Sequence, residues 1–180
     1  MGWMNRTLLV RAVMGSIVAL LLAASACAQD SSDVVRAACG SDNVSISVKL
    51  DQAAHSPAQP EPGKARIYFI HEAGTSFTIG YPTSKLGIDG AWVGANHGNS
   101  YFSVSVAPGE HHLCAALQSS IVDQRVELAH LWAEQGKVYY YRTRLVMSRE
   151  VELLELVPID SDQGKLLIDS FSLSVSHAKK

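Results

Sequence analysis

The sequence predicts an all-β protein, an antiparallel β-sandwich of about nine strands with a signal peptide before it and a short helix near its end. Three observations predict this fold. Several segments alternate apolar with small or polar residues, which is the period of a strand with one buried face. Turn dipeptides such as Asp-Gly and Pro-Gly separate these segments. Two cysteines remain once the signal peptide is removed, and an even number favours a disulfide.

The segment 1–28 is predicted to be a signal peptide. Two arginines precede an apolar run over residues 12–26, which is shorter than the roughly 20 residues that a membrane-spanning helix needs. The letters ACA at 26–28 fit a cleavage site before Gln29. The alternative is acylation of Cys27, but the leucine that usually stands three residues before a lipidated cysteine is missing. We therefore expect a periplasmic or secreted protein, or a lipid-anchored one if Cys27 is acylated.

The mature chain is expected to be a single acidic domain over residues 44–180, preceded by a polar N-terminal segment over residues 29–43. Removal of the signal peptide takes away two arginines and no acid, so the formal charge moves from −2 to −4, with 13 basic against 17 acidic residues. The longest basic run is the terminal Lys179-Lys180. This charge pattern argues against a nucleic-acid partner, and a membrane partner is expected only if Cys27 is lipidated.

The N-terminal third of the domain predicts three strands. Residues 44–50 alternate four apolar residues with Ser, Ser and Lys, so one face of this strand should be buried. Residues 51–64 hold three prolines and a glycine and predict a surface loop. Residues 65–70 are rich in β-branched and aromatic side chains, and we expect both faces of this strand to be covered. Residues 77–80 predict a short third strand.

Two hairpins in succession are predicted over residues 86–117. Asp89-Gly90 is the strongest turn signal in the chain, because this pair tolerates the positive φ angles of a type I′ turn. Residues 96–99 predict a polar loop. The following strand ends at a Pro-Gly pair, which favours a wider reversal over residues 107–110 before the strand that starts at 111.

The next strands are predicted over residues 126–133 and 138–146, as an antiparallel pair around Gln135-Gly136, with a further strand over 151–157. Each of these segments carries the apolar pattern of a strand with at least one buried face.

A short helix is predicted over residues 161–170. Asp160 and Gln163 have the spacing of a capping box, although Gly164 weakens a helix at this position. Residues 171–176 either complete the helix or alternate as a last strand, and the sequence leaves both alternatives open.

Cys39 and Cys114 are predicted to form a disulfide. Disulfides form in the oxidising compartments that exported proteins reach, so pairing is favoured over a metal site or a catalytic thiol. The alternative is two unrelated buried thiols.

Five segments of this chain resemble one bacterial family. They read GIDGAWVGAN, NSYFSVSV, APGEHHLCAAL, EQGKVYYYRTRL and SDQGKLLIDSFSLSVS. They are similar to the family catalogued as domain of unknown function 2846, exported or lipoprotein-like β-rich proteins, from about residue 65 to the C-terminus. The resemblance implies a β-sandwich and no activity, and the PGEHHL turn is also similar to PEGA-type and transthyretin-like modules, which implies an Ig/transthyretin-like arrangement. The poor lipobox departs from the lipoprotein members of the family.

Catalytic, cofactor and metal sites are all expected to be absent. His71-Glu72 is not followed by the second histidine of an HExxH motif. His111 and His112 are neighbours on a predicted strand, so they point to opposite faces and cannot share one metal ion. We expect His111 on the core side, and structural roles for both and for His130. The motif G-x-S-x-G does not occur in the sequence.

The function expected from these observations is that of a non-enzymatic accessory or interaction module of the cell envelope, with an envelope protein or glycan as partner. The alternative is a small carbohydrate- or peptide-binding domain with Trp92, His97, Asn99 and Tyr101 on one loop rim. A hydrolase with a scattered site is the third hypothesis. The aromatic residues favour core packing over a binding platform; they are Tyr139, Tyr140, Tyr141, Trp92, Tyr101 and Trp132.

Overall fold

The computed structural model describes residues 31–41, 44–53, 59–73, 83–118, 126–148 and 151–179. The described residues form ten strands in two sheets and two helices, so the protein is mostly β and consistent with a β-sandwich. In chain order the elements are α1 (Ser31–Cys39), β1 (Ile46–Asp51), β2 (Ala65–Glu72), β3 (Thr83–Ile88), β4 (Ala91–His97), β5 (Ser100–Val106), β6 (Gly109–Gln118), β7 (Val126–Ala133), β8 (Val138–Ser148), β9 (Val151–Ile159), α2 (Ser161–Ser170) and β10 (Ser172–Ala178).

The chain divides into two compact units. The unit Val35–Lys180 contains both sheets, and of the unit Met1–Val34 the structure describes residues 31–34, the start of α1. The strand predicted over residues 77–80 lies outside the described residues.

The two sheets have the strand orders β1-β10-β5-β2-β8-β9 and β4-β3-β6-β7. Most neighbours are antiparallel, but β8 pairs with β2 and β5 pairs with β10 in parallel. The sandwich is therefore mixed, whereas the sequence predicted antiparallel pairing throughout. The cause is that the chain changes sheet after β2, β4, β5 and β7, so strands distant in the sequence become neighbours in one sheet.

Of the two hairpins predicted over residues 86–117, the first forms and the second does not. Asp89 and Gly90 have φ angles of 50° and 80°, as a type I′ turn requires, and they join the antiparallel pair β3–β4. β5 and β6 lie in different sheets, so the reversal at Pro108-Gly109 is a crossover between sheets.

Two other sequence predictions are corrected by the structure. Asn96 and His97 belong to β4, so the predicted polar loop over residues 96–99 is reduced to Gly98 and Asn99. β7 and β8 also lie in different sheets, so they are not the predicted antiparallel pair. Period-two alternation identifies a strand with a buried face. Strands of both sheets in a sandwich alternate in this way, so the pattern does not show which sheet a strand belongs to.

The helix α1 lies within the segment that the sequence indicated only as polar. Ala38 and Cys39, at its C-terminal end, are 3% and 1% exposed, so this end of the helix packs on the domain. A nine-residue helix is marginal on its own, and packing stabilises this one. A Cβ atom at Gly87 would lie 2.8 Å from the carbonyl oxygen of Cys39, so glycine lets the helix lie directly on β3.

The C-terminal helix α2 is confirmed over Ser161–Ser170. The carboxylate of Asp160 accepts hydrogen bonds from the backbone N–H groups of Asp162 and Gln163, both at 2.9 Å. Gly164 is buried, and a Cβ atom there would lie 2.4 Å from the ring of Tyr140. The open alternative after the helix is decided in favour of a strand, β10.

Three apolar clusters stabilise the fold. The main cluster lies between the sheets and includes Phe69, Leu86 and Leu113. The second places α2 over the outer face of the six-stranded sheet, on Tyr68 and Tyr140. β2 contributes to both clusters, which confirms that both its faces are covered. The third joins α1 to the outer face of the four-stranded sheet.

Candidate functional site

The predicted disulfide between Cys39 and Cys114 is present, with the two Cα atoms 5.2 Å apart. Both side chains are buried, and Trp92 and Val126 pack against them, so the bond has a structural role. It closes a loop of 75 residues, which by chain entropy stabilises the fold by roughly 4 to 5 kcal/mol. Such a bond indicates an oxidising, non-cytoplasmic compartment. Across the described ranges, none of the helices is long and apolar enough to cross a membrane.

The four residues predicted to form one ligand rim lie in separate places. Trp92 packs on the disulfide, on the outer face of the four-stranded sheet, and its Nε1–H donates to the Ser41 carbonyl oxygen at 2.7 Å. Tyr101 is 2% exposed and packs near Tyr68 on the outer face of the six-stranded sheet, with the ring centroids 6.2 Å apart. These two rings therefore lie on opposite faces of the sandwich.

A β-bulge explains the position of Trp92. The pairing of β3 with β4 passes from Leu86–Gly94 to Gly87–Trp92, so Val93 is an extra residue. The bulge turns Trp92 to the outer face, although strict alternation would place it on the inner face with Gly94.

The other two rim residues, His97 and Asn99, lie together at one end of the sandwich. The imidazole Nδ1 of His97 is 3.3 Å from the Thr83 hydroxyl. The side-chain oxygen of Asn99 accepts a hydrogen bond from the backbone N–H of Ala73 at 2.8 Å. Both contacts fix strand ends, so in this structure the two side chains have structural partners.

A buried polar cluster lies between the sheets near this end. His71 Nδ1 is 2.9 Å from the Thr143 hydroxyl and 3.3 Å from the Ser84 hydroxyl, and all three residues are at most 1% exposed. Burial, with a smaller contribution from the charge of His97, lowers the pKa of His71 from 6.5 to about 4. An imidazole beside a hydroxyl resembles a catalytic pair, but Ser84 is fully buried, so the cluster supports a structural role.

His111 lies on the core side of β6, as predicted, and binds two acceptors. Its Nδ1 donates to the Asp89 carboxylate at 2.6 Å and its Nε2 donates to the Ala107 carbonyl oxygen at 2.8 Å, an arrangement that favours the imidazolium. Burial lowers the pKa of His111, but these two hydrogen bonds and the charge of Asp89 outweigh burial and raise it. The other Asp89 oxygen accepts the His112 backbone N–H at 2.9 Å. The imidazolium thus ties the β3–β4 turn to β6.

Among the strand side chains whose exposure the structure describes, the most exposed apolar ones include Trp132 and Leu128, on the outer face of β6 and β7. We call it the β6–β7 face. Trp132 and Leu128 are 64% and 41% exposed, whereas Leu131 between them is buried. The members of the face are Glu110, His112, Leu128, His130 and Trp132.

The polar residues of the β6–β7 face are arranged in pairs. His112 and His130 are direct partners across the two strands, with ring centroids 5.7 Å apart. His130 Nε2 is 3.0 Å from the carboxylate of Glu110, which is itself the cross-strand partner of Trp132. The His130 and Glu110 side chains are 55% and 56% exposed, so the hydrogen bond of His130 lies at the surface and not in the core. Alternation showed which residues share a face, but not that this face meets solvent.

The outer edge of β7 is covered by tyrosine hydroxyls from the opposite sheet. The Tyr139 hydroxyl donates to the Trp132 carbonyl oxygen at 3.3 Å and accepts from the Glu134 N–H at 2.9 Å. The Tyr141 hydroxyl donates to the His130 carbonyl oxygen at 3.2 Å. β7 is the last strand of its sheet, and these bonds occupy backbone groups that an added strand would need.

Within the described part of the chain, no group of three or more His, Cys, Asp or Glu side chains is arranged to hold a metal ion. Comparison with protein-family models, with curated proteins and with solved structures finds no match to this chain. The resemblance to domain of unknown function 2846 therefore stays a prediction, and the function is argued from geometry.

Proposed function

We propose that this protein is an exported, non-enzymatic interaction module of the bacterial cell envelope, which binds its partner through the β6–β7 face. The exposed indole of Trp132 carries the proposal. A large ring that is mostly exposed, on one face with an exposed leucine and a row of polar groups, is typical of a binding surface, because covering solvated apolar surface lowers the free energy.

The buried disulfide supports export, because such bonds persist in oxidising compartments. The same proposal includes cleavage of residues 1–28 before Gln29, and an Ig/transthyretin-like arrangement of the two stacked sheets. A lipid anchor at Cys27 is the alternative. Intact mass of the exported protein distinguishes them, since we expect a chain that begins at Gln29 and carries no diacylglycerol.

Sedimentation with envelope fragments tests the binding face. Protein purified after export is mixed with washed envelope fragments, centrifuged and quantified in the pellet. We expect wild-type protein in the pellet and Trp132→Ala in the supernatant. Leu166→Ala is the matched control, because Leu166 is 66% exposed on α2, away from the β6–β7 face. Equal sedimentation of wild type and Trp132→Ala would contradict the proposal.

A further inference from the structure

We infer that the ligand of the β6–β7 face is a neutral oligosaccharide, laid along β7 with one pyranose ring stacked on Trp132. This inference rests on the proposed function and names the chemical class of the partner. It follows from the size of the face, from the covered edge of β7 and from the chemistry of the five side chains.

The size of the β6–β7 face fits a small, elongated ligand. Leu128 and Trp132 are four residues apart, about 13 Å at the rise of a strand, and two strands are about 10 Å wide. The face therefore measures roughly 13 by 10 Å, which is smaller than the patch that a stable protein partner needs to bury about 800 Å² of accessible surface on each side. A few sugar rings in a row match these dimensions.

The edge of β7 disfavours a peptide. An extended peptide gains most of its affinity by adding a strand to a free edge through main-chain hydrogen bonds. At Trp132 and His130 the carbonyl oxygens on that edge already accept the hydroxyls of Tyr139 and Tyr141. A ligand must therefore bind on the face of the sheet, where side chains and not backbone groups are offered.

The side chains of the face match the two surfaces of a pyranose ring. An indole ring packs against the C–H groups on one side of the sugar, and this removes apolar surface from water. Sugar hydroxyls both donate and accept hydrogen bonds, and the carboxylate of Glu110 and the imidazoles of His112 and His130 offer both functions. Glu110 lies directly across from Trp132, so a hydroxyl of the stacked ring comes within reach of the carboxylate.

The charge of the face indicates a neutral sugar. Its five side chains are one carboxylate, two imidazoles, one indole and one leucine. A carboxylate beside the indole repels an anionic ring. The hydrogen bond between Glu110 and His130, at 3.0 Å, holds that carboxylate in place before the ligand arrives, which reduces the entropy lost on binding.

Titration with defined sugars tests the inference. The exported protein is titrated with chitohexaose and with cellohexaose, while tryptophan fluorescence and calorimetry are recorded. We expect at least one of these neutral probes to bind, Trp132→Ala to weaken binding at least tenfold, and Trp132→Tyr to retain part of it. Glu110→Gln should weaken binding severalfold, and Leu166→Ala should leave it within twofold of wild type. Polygalacturonate, an anionic chain, should bind at least tenfold more weakly than the neutral probe.

Protease treatment of the envelope fragments separates failure of this inference from failure of the proposed function. If sedimentation that depends on Trp132 survives digestion of the envelope proteins, the partner is not a protein, as the inference requires, and binding of a neutral sugar probe identifies it as a glycan. If digestion abolishes it, the interaction module stands and the oligosaccharide is wrong. Millimolar chitohexaose and cellohexaose that both fail to bind would also overturn the inference, as would equal binding by the Trp132→Ala variant with an unchanged circular dichroism spectrum.

Discussion

Acidification should destabilise this protein through His71, a fully buried histidine. Its imidazole is neutral in the folded state, because burial lowers its pKa from 6.5 to about 4. In the unfolded chain His71 takes up a proton below about pH 6.5, whereas in the folded chain it does so only near pH 4. Its contribution to stability is therefore complete above pH 6.5 and is lost as the pH falls from 6.5 to about 4.

The size of this effect follows from the pKa difference. A shift from 6.5 to about 4 corresponds to roughly 3 kcal/mol, at 1.36 kcal/mol for each pKa unit. A domain of this size typically has about 5 to 15 kcal/mol of stability, so the loss is a large part of the total. The surrounding hydroxyls of Ser84 and Thr143 carry no charge that would offset a buried imidazolium.

Urea unfolding at pH 4, 5, 6 and 7 measures this loss. The variant His71→Gln removes the titrating group and keeps a polar side chain beside Thr143. The variant is expected to be less stable than wild type at pH 7, with a difference that shrinks by about 3 kcal/mol towards pH 4. His177→Gln, at an exposed histidine, is the control and should keep the pH dependence of wild type. A constant difference between wild type and His71→Gln over this range would refute the reasoning.

Three further predictions concern turns and close contacts. Asp89→Asn should cost roughly 1 to 2 kcal/mol, because it weakens charged hydrogen bonds. In wild type, the charged His111 stabilises the fold, and this stabilisation is lost as the pH rises through the raised pKa of His111. Asp89→Asn should remove this pH dependence, which urea unfolding at pH 6 to 9 will show. Gly90→Val should cost about 1 to 2 kcal/mol and lower the melting temperature more than Gly90→Asn, because φ is 80° there. Gly164→Ala should destabilise by about 1 to 3 kcal/mol, because its Cβ would meet the ring of Tyr140 at 2.4 Å. Helix propensity alone gives the opposite sign, about 1 kcal/mol of stabilisation, so a raised midpoint in urea would contradict the packing argument.

Local signals in the sequence were sufficient for the Asp89-Gly90 turn, the C-terminal helix α2 and the disulfide. Asp89-Gly90 and the cap at Asp160 are decided by the conformations that a few neighbouring residues allow, and both occur as predicted. Cys39 and Cys114 pair, as the even number of cysteines after residue 28 predicted. These features depend on residue type and position, which a sequence displays directly.

Sheet membership could not be predicted, because it depends on partners that are distant in the chain. The strand at residues 101–106 alternates as expected, yet it pairs with β2 and β10, where the sequence suggested β6. Similarly, Trp92 lies at the opposite end of β4 from His97, and a bulge at Val93, which nothing in the local sequence signals, turns it to the outer face. Gly164 weakened the predicted helix, although it is the residue that lets α2 pack on Tyr140.

The exposure of Trp132 was missed for a related reason. The residues Leu128, His130 and Trp132 share one face of a strand, and the sequence favoured that face as part of the core. Whether the face is covered depends on how far α1 extends across the sheet. That helix, tied by the disulfide, covers the row of Cys114 and Gly87, and the next rows along β7 meet solvent.

The stability of the fold does not require an exposed indole on β7. Elsewhere on the outer faces the large rings are packed, Tyr68 and Tyr140 under α2 and Trp92 against the disulfide cluster. Trp132, at 64% exposure, gains little from its own position, so its replacement should change stability by no more than about 0.5 kcal/mol. A variant at Trp132 therefore tests binding independently of stability. If it abolishes binding and leaves the free energy of unfolding unchanged, it acts on the binding surface alone.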